Sequence, residues 1–217
     1  ALPALAYRTR TGKGQHIDCA LFDSQVAMLA NQSANWLNAE FCPTRMGNHH
    51  PSVVPYTVYQ AADGFVIVAC GNDKQFIRLT AALGVPSLAT DPSFMTNEAR
   101  IQNRDQLDTD LGAAIAAFDR ETVIKILEKA GVSCGPINNI GEVFGDAQVM
   151  ARGLRIDQHR SDNSPIASTA FPPKLSETPA QYNCAPPLLG EHNEIVLKEW
   201  VGLSDNAIAK LRAGKAI

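Results

Sequence analysis

The 217-residue sequence has no apolar run near the ~20 residues needed to cross a bilayer. Its longest such runs, Gly64–Cys70 and Ala113–Phe118, are sized for a strand or a buried helix. Charge of either sign is in small excess: 19 Lys+Arg against 22 Asp+Glu leave a net charge of -3, which excludes the basic face that nucleic acid demands. Neither a membrane nor a nucleic acid is therefore an expected partner. Cysteine is sparse. Cys19, Cys42, Cys70, Cys134 and Cys184 are odd in number, far apart and never in a C-x-x-C pair, which argues against a disulfide framework or a zinc site. Cys19, Cys70 and Cys134 sit among apolar or small residues and are expected as buried free thiols in a reducing compartment. Three of the five histidines (His16, His159, His192) have no partner three or four residues away. The adjacent His49 and His50 point apart in an extended chain, so no metal site is expected. The G-x-S-x-G, H-E-x-x-H and G-x-G-x-x-G motifs are all missing, as are internal repeats. No charged-then-apolar leader appears in Ala1–Gln15.

What is present is a soluble globular composition, 45% hydrophobic and 19% charged, with enough length for a real core. Ala1–Arg10 reads as the middle of a helix, as though the chain were a piece of something longer. Thr11–Gln15 is a turn. Ile17–Leu37 then carries one helical stripe through Phe22, Val26, Leu29, Ser33 and Trp36. Phe41–Pro55, with four prolines or glycines and no period, is a linker or functional loop. Beyond it Tyr56–Gln60, a turn at Ala62–Gly64 and Phe65–Cys70 predict a hairpin whose second strand is buried on both faces. A helix opening at Asp73 and stopping at Gly84 follows. Leu107, Leu111, Ile115 and Phe118 mark a further helix, and Val123, Ile126, Leu127 and Ala130 another that closes at Gly131. Tyr56–Gly145 is thus a self-contained α+β module. The last third predicts strands over Gly153–Ser176, a proline-rich linker over Pro179–Gly190, and helices at Glu191–Val201 and Ser204–Leu211. Helical ends around a self-contained middle suggest a small module inserted in a larger domain.

Four places carry polar groups that chemistry can use. Thr11-Gly12-Lys13-Gly14-Gln15 lacks the Walker spacing and reads as an exposed turn, with Arg8, Arg10, Lys13 and His16 as a small anion-attracting surface. Gly47-Asn48-His49-His50-Pro51 is the densest polar cluster of the linker and a candidate pocket lining. Gly71–Gln75, after a buried strand and before a helix, is either an anion site or an ordinary cap by Asn72 or Asp73, the cap being the favoured reading. Cys134 has no adjacent base and is read as structural.

Taken together, Arg8–Asp18, Leu21–Gln25, Gly47–Pro51 with Pro55-Tyr56, Asp63-Gly64, Gly71–Phe76, Asn97–Arg100, Asn103-Arg104, Gly135–Asn138 and Pro186–His192 resemble the family III CoA-transferases from end to end. That group includes formyl-CoA transferase, the carnitine and bile-acid CoA-transferases and α-methylacyl-CoA racemase. The form Gly-Asn-Asp-x-Gln-Phe is similar to transferases acting on dicarboxylate CoA esters, of the succinate–hydroxymethylglutarate type.

The resemblance implies an α/β fold: part of a Rossmann-like large domain with an inserted smaller α+β domain. Residues 1–41 then end the first large-domain segment, 42–55 form the linker and active-site loop, 56–145 the small domain, and 146–217 the return linker and C-terminal large-domain segment. It implies a cytoplasmic transferase, or a mitochondrial-matrix one if a leader was lost, that interlocks as a homodimer at full length. Coenzyme A enters as a thioester substrate with a carboxylic acid as acceptor, and no tightly bound cofactor is expected. In the family an aspartate attacks the thioester and becomes an aspartyl-CoA. That aspartate lies upstream of the Arg-x-x-Thr-Gly-Lys-Gly-Gln motif, so the chain is expected to be a truncated one without a catalytic residue, inactive alone. Asp18 and Asp23 match downstream positions. Gly47, Asn48, His49 and His50 are the substrate-binding candidates. Racemase-type proton exchange and a non-catalytic dimerisation or binding module are the alternatives. With the usual cover absent, Phe22, Leu29 and Trp36 are expected to be exposed.

Overall fold

Helix formation at the start of the chain follows local signals alone. A computed structural model describes all of residues 1–217. Helix α1 (Leu2–Thr11) has proline in its first turn, where no N–H partner is lost, and ends where Gly12 adopts φ 71° and returns its N–H to the Arg8 carbonyl. The predicted single helix over 17–37 is two: α2 (Leu21–Ala27) and α3 (Asn31–Ala39), parted at Ala30, whose φ is 48°. No residue of either helix is buried, so nothing packs against the stripe and compels a continuous helix. The exposure expected for Phe22, Leu29 and Trp36 is observed, at 77%, 52% and 54%. Cys19, expected to be buried, is exposed for the same reason: its apolar neighbours have no core above them.

The chain splits into two units, residues 1–135 and 136–217. In the first, β1 (Tyr56–Ala61) and β2 (Gly64–Ala69) form an antiparallel hairpin with Thr57 opposite Val68 and Tyr59 opposite Val66. These four are buried, while Phe65 is half exposed and Ile67 only partly covered. The expectation that β2 is buried on both faces is therefore corrected: helices cover one face of this sheet, and strict alternation results.

Helix α4 (Asp73–Ala82) is capped by Asn72, not Asp73, through a 3.0 Å bond from the Gln75 N–H to Asn72 Oδ1. A 3₁₀ turn (Pro86–Ala89), α5 (Asn97–Gln102), α6 (Arg104–Ala116) and α7 (Arg120–Lys129) follow. Leu107, Leu111 and Ile115 on α6, and Val123 and Leu127 on α7, are completely buried against Val66, Val68, Phe76 and Leu79. A short strand not predicted, β3 (Ser133–Pro136), joins the sheet beside β2.

The second unit is thinly packed. It has α8 (Ile140–Gly145) with a capping box between Asn139 and Glu142, α9 (Ala147–Ala151), and an antiparallel hairpin of β4 (Arg155–His159) and β5 (Pro165–Thr169). The predicted helix at 191–201 is a short α10 (Asn193–Ile195) that widens into a π-helical turn (Val196–Trp200). Helix α11 (Asp205–Ala213) is capped by Ser204, and its Ile208 is the only buried side chain of the unit. No helix is long and apolar enough to cross a membrane.

Candidate active site

The second half of the loop before β1, from His49 to Pro55, is tied to the rest of the first unit. Gly47, at φ 60°, makes a turn that returns the His49 N–H to the Met46 carbonyl at 3.2 Å. The His50 N–H then reaches the Tyr56 carbonyl at 2.9 Å, and its ring stacks on Tyr56 at 5.2 Å between centroids. Pro55 follows Val54 through a cis peptide bond, and its carbonyl accepts the Cys70 N–H at 2.9 Å.

Helices α5 and α6 supply the clamp. Asn97 donates to the Ser52 carbonyl at 2.9 Å and accepts the Val54 N–H at 3.0 Å, which satisfies both ends of its amide. Arg104 donates to the carbonyls of His50 at 3.0 Å and Pro51 at 3.4 Å. Arg100 is fully buried and uses its whole guanidinium: Nε on the Val54 carbonyl at 2.7 Å, one terminal nitrogen on the Phe94 carbonyl at 2.9 Å, the other on Asp73 at 2.7 Å. Its plane lies 4.5 Å from the Phe76 ring centroid. A buried cation is tolerated here because each of its three nitrogens has an acceptor and one face lies on an aromatic ring.

Behind the loop, Tyr59 donates its hydroxyl to Asp108 Oδ1 at 2.5 Å, and Asp108 Oδ2 stands 3.4 Å from His49 Nδ1. Burial, and then the Asp108 carboxylate, push the Tyr59 phenol far above its ordinary range, so it stays a donor at any physiological pH. Gly47 and Asn48 are exposed at the turn, whereas His49 and His50 are half-buried. The structure thus brings His49 and His50 together with Tyr59, Asn97, Arg100, Arg104 and Asp108. Sequence reasoning missed Tyr59 and Asp108 as site residues. A readable signal did exist: Asn97, Arg100, Arg104 and Asp108 recur at spacings of three, four and four, a polar stripe beside the apolar one of α6.

The other candidates resolve into structure. Around Gly71–Gln75 the groups serve the cap and the core: the Gly71 N–H bonds Gln75 Oε1 at 2.7 Å, the Gln75 N–H bonds Asn72 Oδ1 at 3.0 Å, and Asp73 accepts from Arg100. The Thr11–Gln15 turn is fully exposed, with the Lys13 N–H on the Thr11 hydroxyl. The Cys134 thiol contacts the Ile124 carbonyl at 3.7 Å and burial pushes its pKa up, the opposite of what a nucleophile needs. Asp18 and Asp23 are exposed.

Residues 1–193 match the sequence model of CoA-transferase family III. The chain is 42% identical over 196 residues to the succinate–glutarate CoA-transferase of Agrobacterium fabrum, covering 90% of this chain and 49% of that protein. It is 35% identical over 210 residues to the succinyl-CoA:glutarate CoA-transferase of Mus musculus, covering 97% and 48%. Among solved structures, a CaiB/BaiF family protein from Brucella suis superposes with a TM-score of 0.78 at 41% identity, covering 91% of this chain and 51% of the other. A protein of M. tuberculosis, 22% identical, shares the fold with a TM-score of 0.74 and 89% and 51% coverage. The chain spans about half the length of the curated relatives it matches.

Proposed function

The chain belongs to CoA-transferase family III, and on that premise we propose that it forms part of an enzyme that moves coenzyme A from an acyl-CoA thioester to a dicarboxylic acid. The observation that carries the substrate class is the 42% identity, across nine-tenths of the chain, to a protein named for succinate and glutarate. The reaction proceeds by covalent catalysis. An aspartate carboxylate attacks the thioester and expels CoA thiolate to give a mixed anhydride. The thiolate attacks the aspartyl carbonyl, releasing the donor acid and leaving an aspartyl-CoA thioester. The acceptor carboxylate then runs both steps in reverse to leave as the new acyl-CoA. None of residues 1–217 is assigned as that nucleophile; Asp18 and Asp23 are exposed and removed in sequence from the clamped loop.

This chain's own contribution is the loop. Gly47, Asn48, His49 and His50 contact the acyl ligand, and Asn97, Arg100 and Arg104 hold the loop's backbone so that it can shield the acyl intermediates from water. Residues 56–145 act as the small domain, and 1–41 and 146–217 as parts of the large one, within an interlocked homodimer in the cytoplasm. The exposed apolar side chains of α2 and α3 favour such a cover.

Transfer of CoA from succinyl-CoA to glutarate is the test, measured with the 217-residue chain and with a polypeptide of full family length that contains it. The longer polypeptide is expected to transfer and the chain alone to be inactive. A longer polypeptide that transfers CoA to no dicarboxylate, yet washes deuterium into the α-carbon of an acyl-CoA, would replace this reading with racemase chemistry.

A further inference from the structure

The two histidines of the loop differ at Nδ1. At His50, Nδ1 accepts the Ser52 N–H at 3.2 Å, so it carries a lone pair and the neutral ring keeps its proton on Nε2. At His49, Nδ1 is sealed from solvent, makes no hydrogen bond, and faces Asp108 Oδ2 at 3.4 Å. Asp108 accepts the Tyr59 hydroxyl at Oδ1, and a carboxylate presents lone pairs, not a donor, at Oδ2. A bare Nδ1 here would set two lone pairs against each other where water cannot intervene, whereas a protonated Nδ1 makes the contact attractive. The one cation nearby on α6, Arg104, is committed to the His50 and Pro51 carbonyls.

We propose that the loop presents its adjacent histidines in opposite tautomers, His49 as Nδ1–H with an accepting Nε2 and His50 as Nε2–H, and that Asp108 is the positioning residue that sets the first. The ring of His49 is one-third exposed although Nδ1 is sealed, so Nε2 is the nitrogen a ligand can reach. The carboxylate of an acyl ligand is then held by the Nε2–H donor of His50, whereas His49 turns only a lone pair toward it. That ligand-facing half rests on the functional reading above; the tautomers do not.

Long-range proton–nitrogen spectra of the ¹⁵N-labelled 217-residue chain read both rings directly, with His49→Gln and His50→Gln supplying the assignments. The expected pattern is a protonated Nδ1 at His49 and a protonated Nε2 at His50. The same tautomer at both positions overturns the proposal. In Asp108→Asn the His49 proton is expected to move to Nε2 while His50 is unchanged; an unchanged His49 removes Asp108 from its role. Should Asp108→Asn fail to fold, Tyr59→Phe keeps the core ring and frees Asp108 Oδ1, and a His49 signal shifted toward tautomer averaging is expected, an unmoved one overturning the positioning role of Asp108. In CoA transfer by the full-length enzyme, Asp108→Asn turns His49 Nε2 into a second donor toward the acceptor carboxylate and is expected to lower its KM about tenfold with a smaller change in kcat. An unchanged KM overturns the ligand-facing half. A wild-type enzyme that transfers no CoA defeats the functional reading instead, and the spectra alone then decide the tautomers.

Discussion

Helix α6 and the pair α2–α3 carry apolar stripes of the same helical spacing, yet they end in opposite surroundings. Leu107, Leu111 and Ile115 of α6 are completely buried, whereas Phe22 of α2, Trp36 of α3 and Leu29 in the turn between them are half or more exposed. The first stripe lies against a sheet whose inner face repeats every second residue. The second has nothing in the chain to meet, and its helix breaks at Ala30. A stripe therefore records that a face is meant to be covered and not what covers it. The same contrast holds for the thiols: Cys70 is buried, Cys19 exposed.

The sharpest way to break this comparison is at Arg100, the cation buried in the covered half. Arg100→Ala strands the Val54 and Phe94 carbonyls and opens a void, and is expected to cost about 3–5 kcal/mol in urea unfolding. A cost near zero would mean that the loop is not held by the core. Leu111→Ala, in the covered stripe, should cost about 3 kcal/mol in the same measurement.

Burial holds the Cys70 thiol up at about 11, from an ordinary value of 9.0. The stability contributed by the neutral thiol is therefore complete below the unfolded-state value and is lost as pH rises through about 11, because the unfolded chain releases that proton first. Wild type should lose about 2 kcal/mol more than Cys70→Ala between roughly pH 8 and 11 in parallel unfolding titrations. Asn72→Ala removes the cap of α4 at about 1 kcal/mol, read as a shift in midpoint with unchanged slope. The smallest effect belongs to the uncovered stripe. Phe22→Ser should change stability by less than about 0.5 kcal/mol while reducing binding of a hydrophobic dye. A cost like that of Leu111→Ala would show that α2 is covered after all.

Much of the architecture was legible in the residues. The hairpin around Ala62–Gly64, the stop of α4 at Gly84, the stripe of α6, the close of α7 at Gly131 and the cap at Ser204 all rest on signals within a few residues of the event. The loop containing His49 and His50 was legible as a loop, and the resemblance of its motifs pointed to the family that the relatives show. Its clamp was not legible. Asn97, Arg100 and Arg104 meet residues 43 to 54 positions away, and a polar stripe on a helix says nothing of which carbonyls it will reach. Strand β3, four residues with glycine and proline, has no period to read and exists because β2 offers it an edge.

The sequence by itself determined the periods, caps and turns of individual elements, because those signals are hydrogen bonds and side-chain spacings spanning a few residues. Only the tertiary structure decided which stripe is buried, that a guanidinium occupies the core, and that one of two neighbouring histidines faces a carboxylate. Burial and pairing depend on groups the chain brings together from afar, and their energies follow from the assembled environment, not from the residue that enters it.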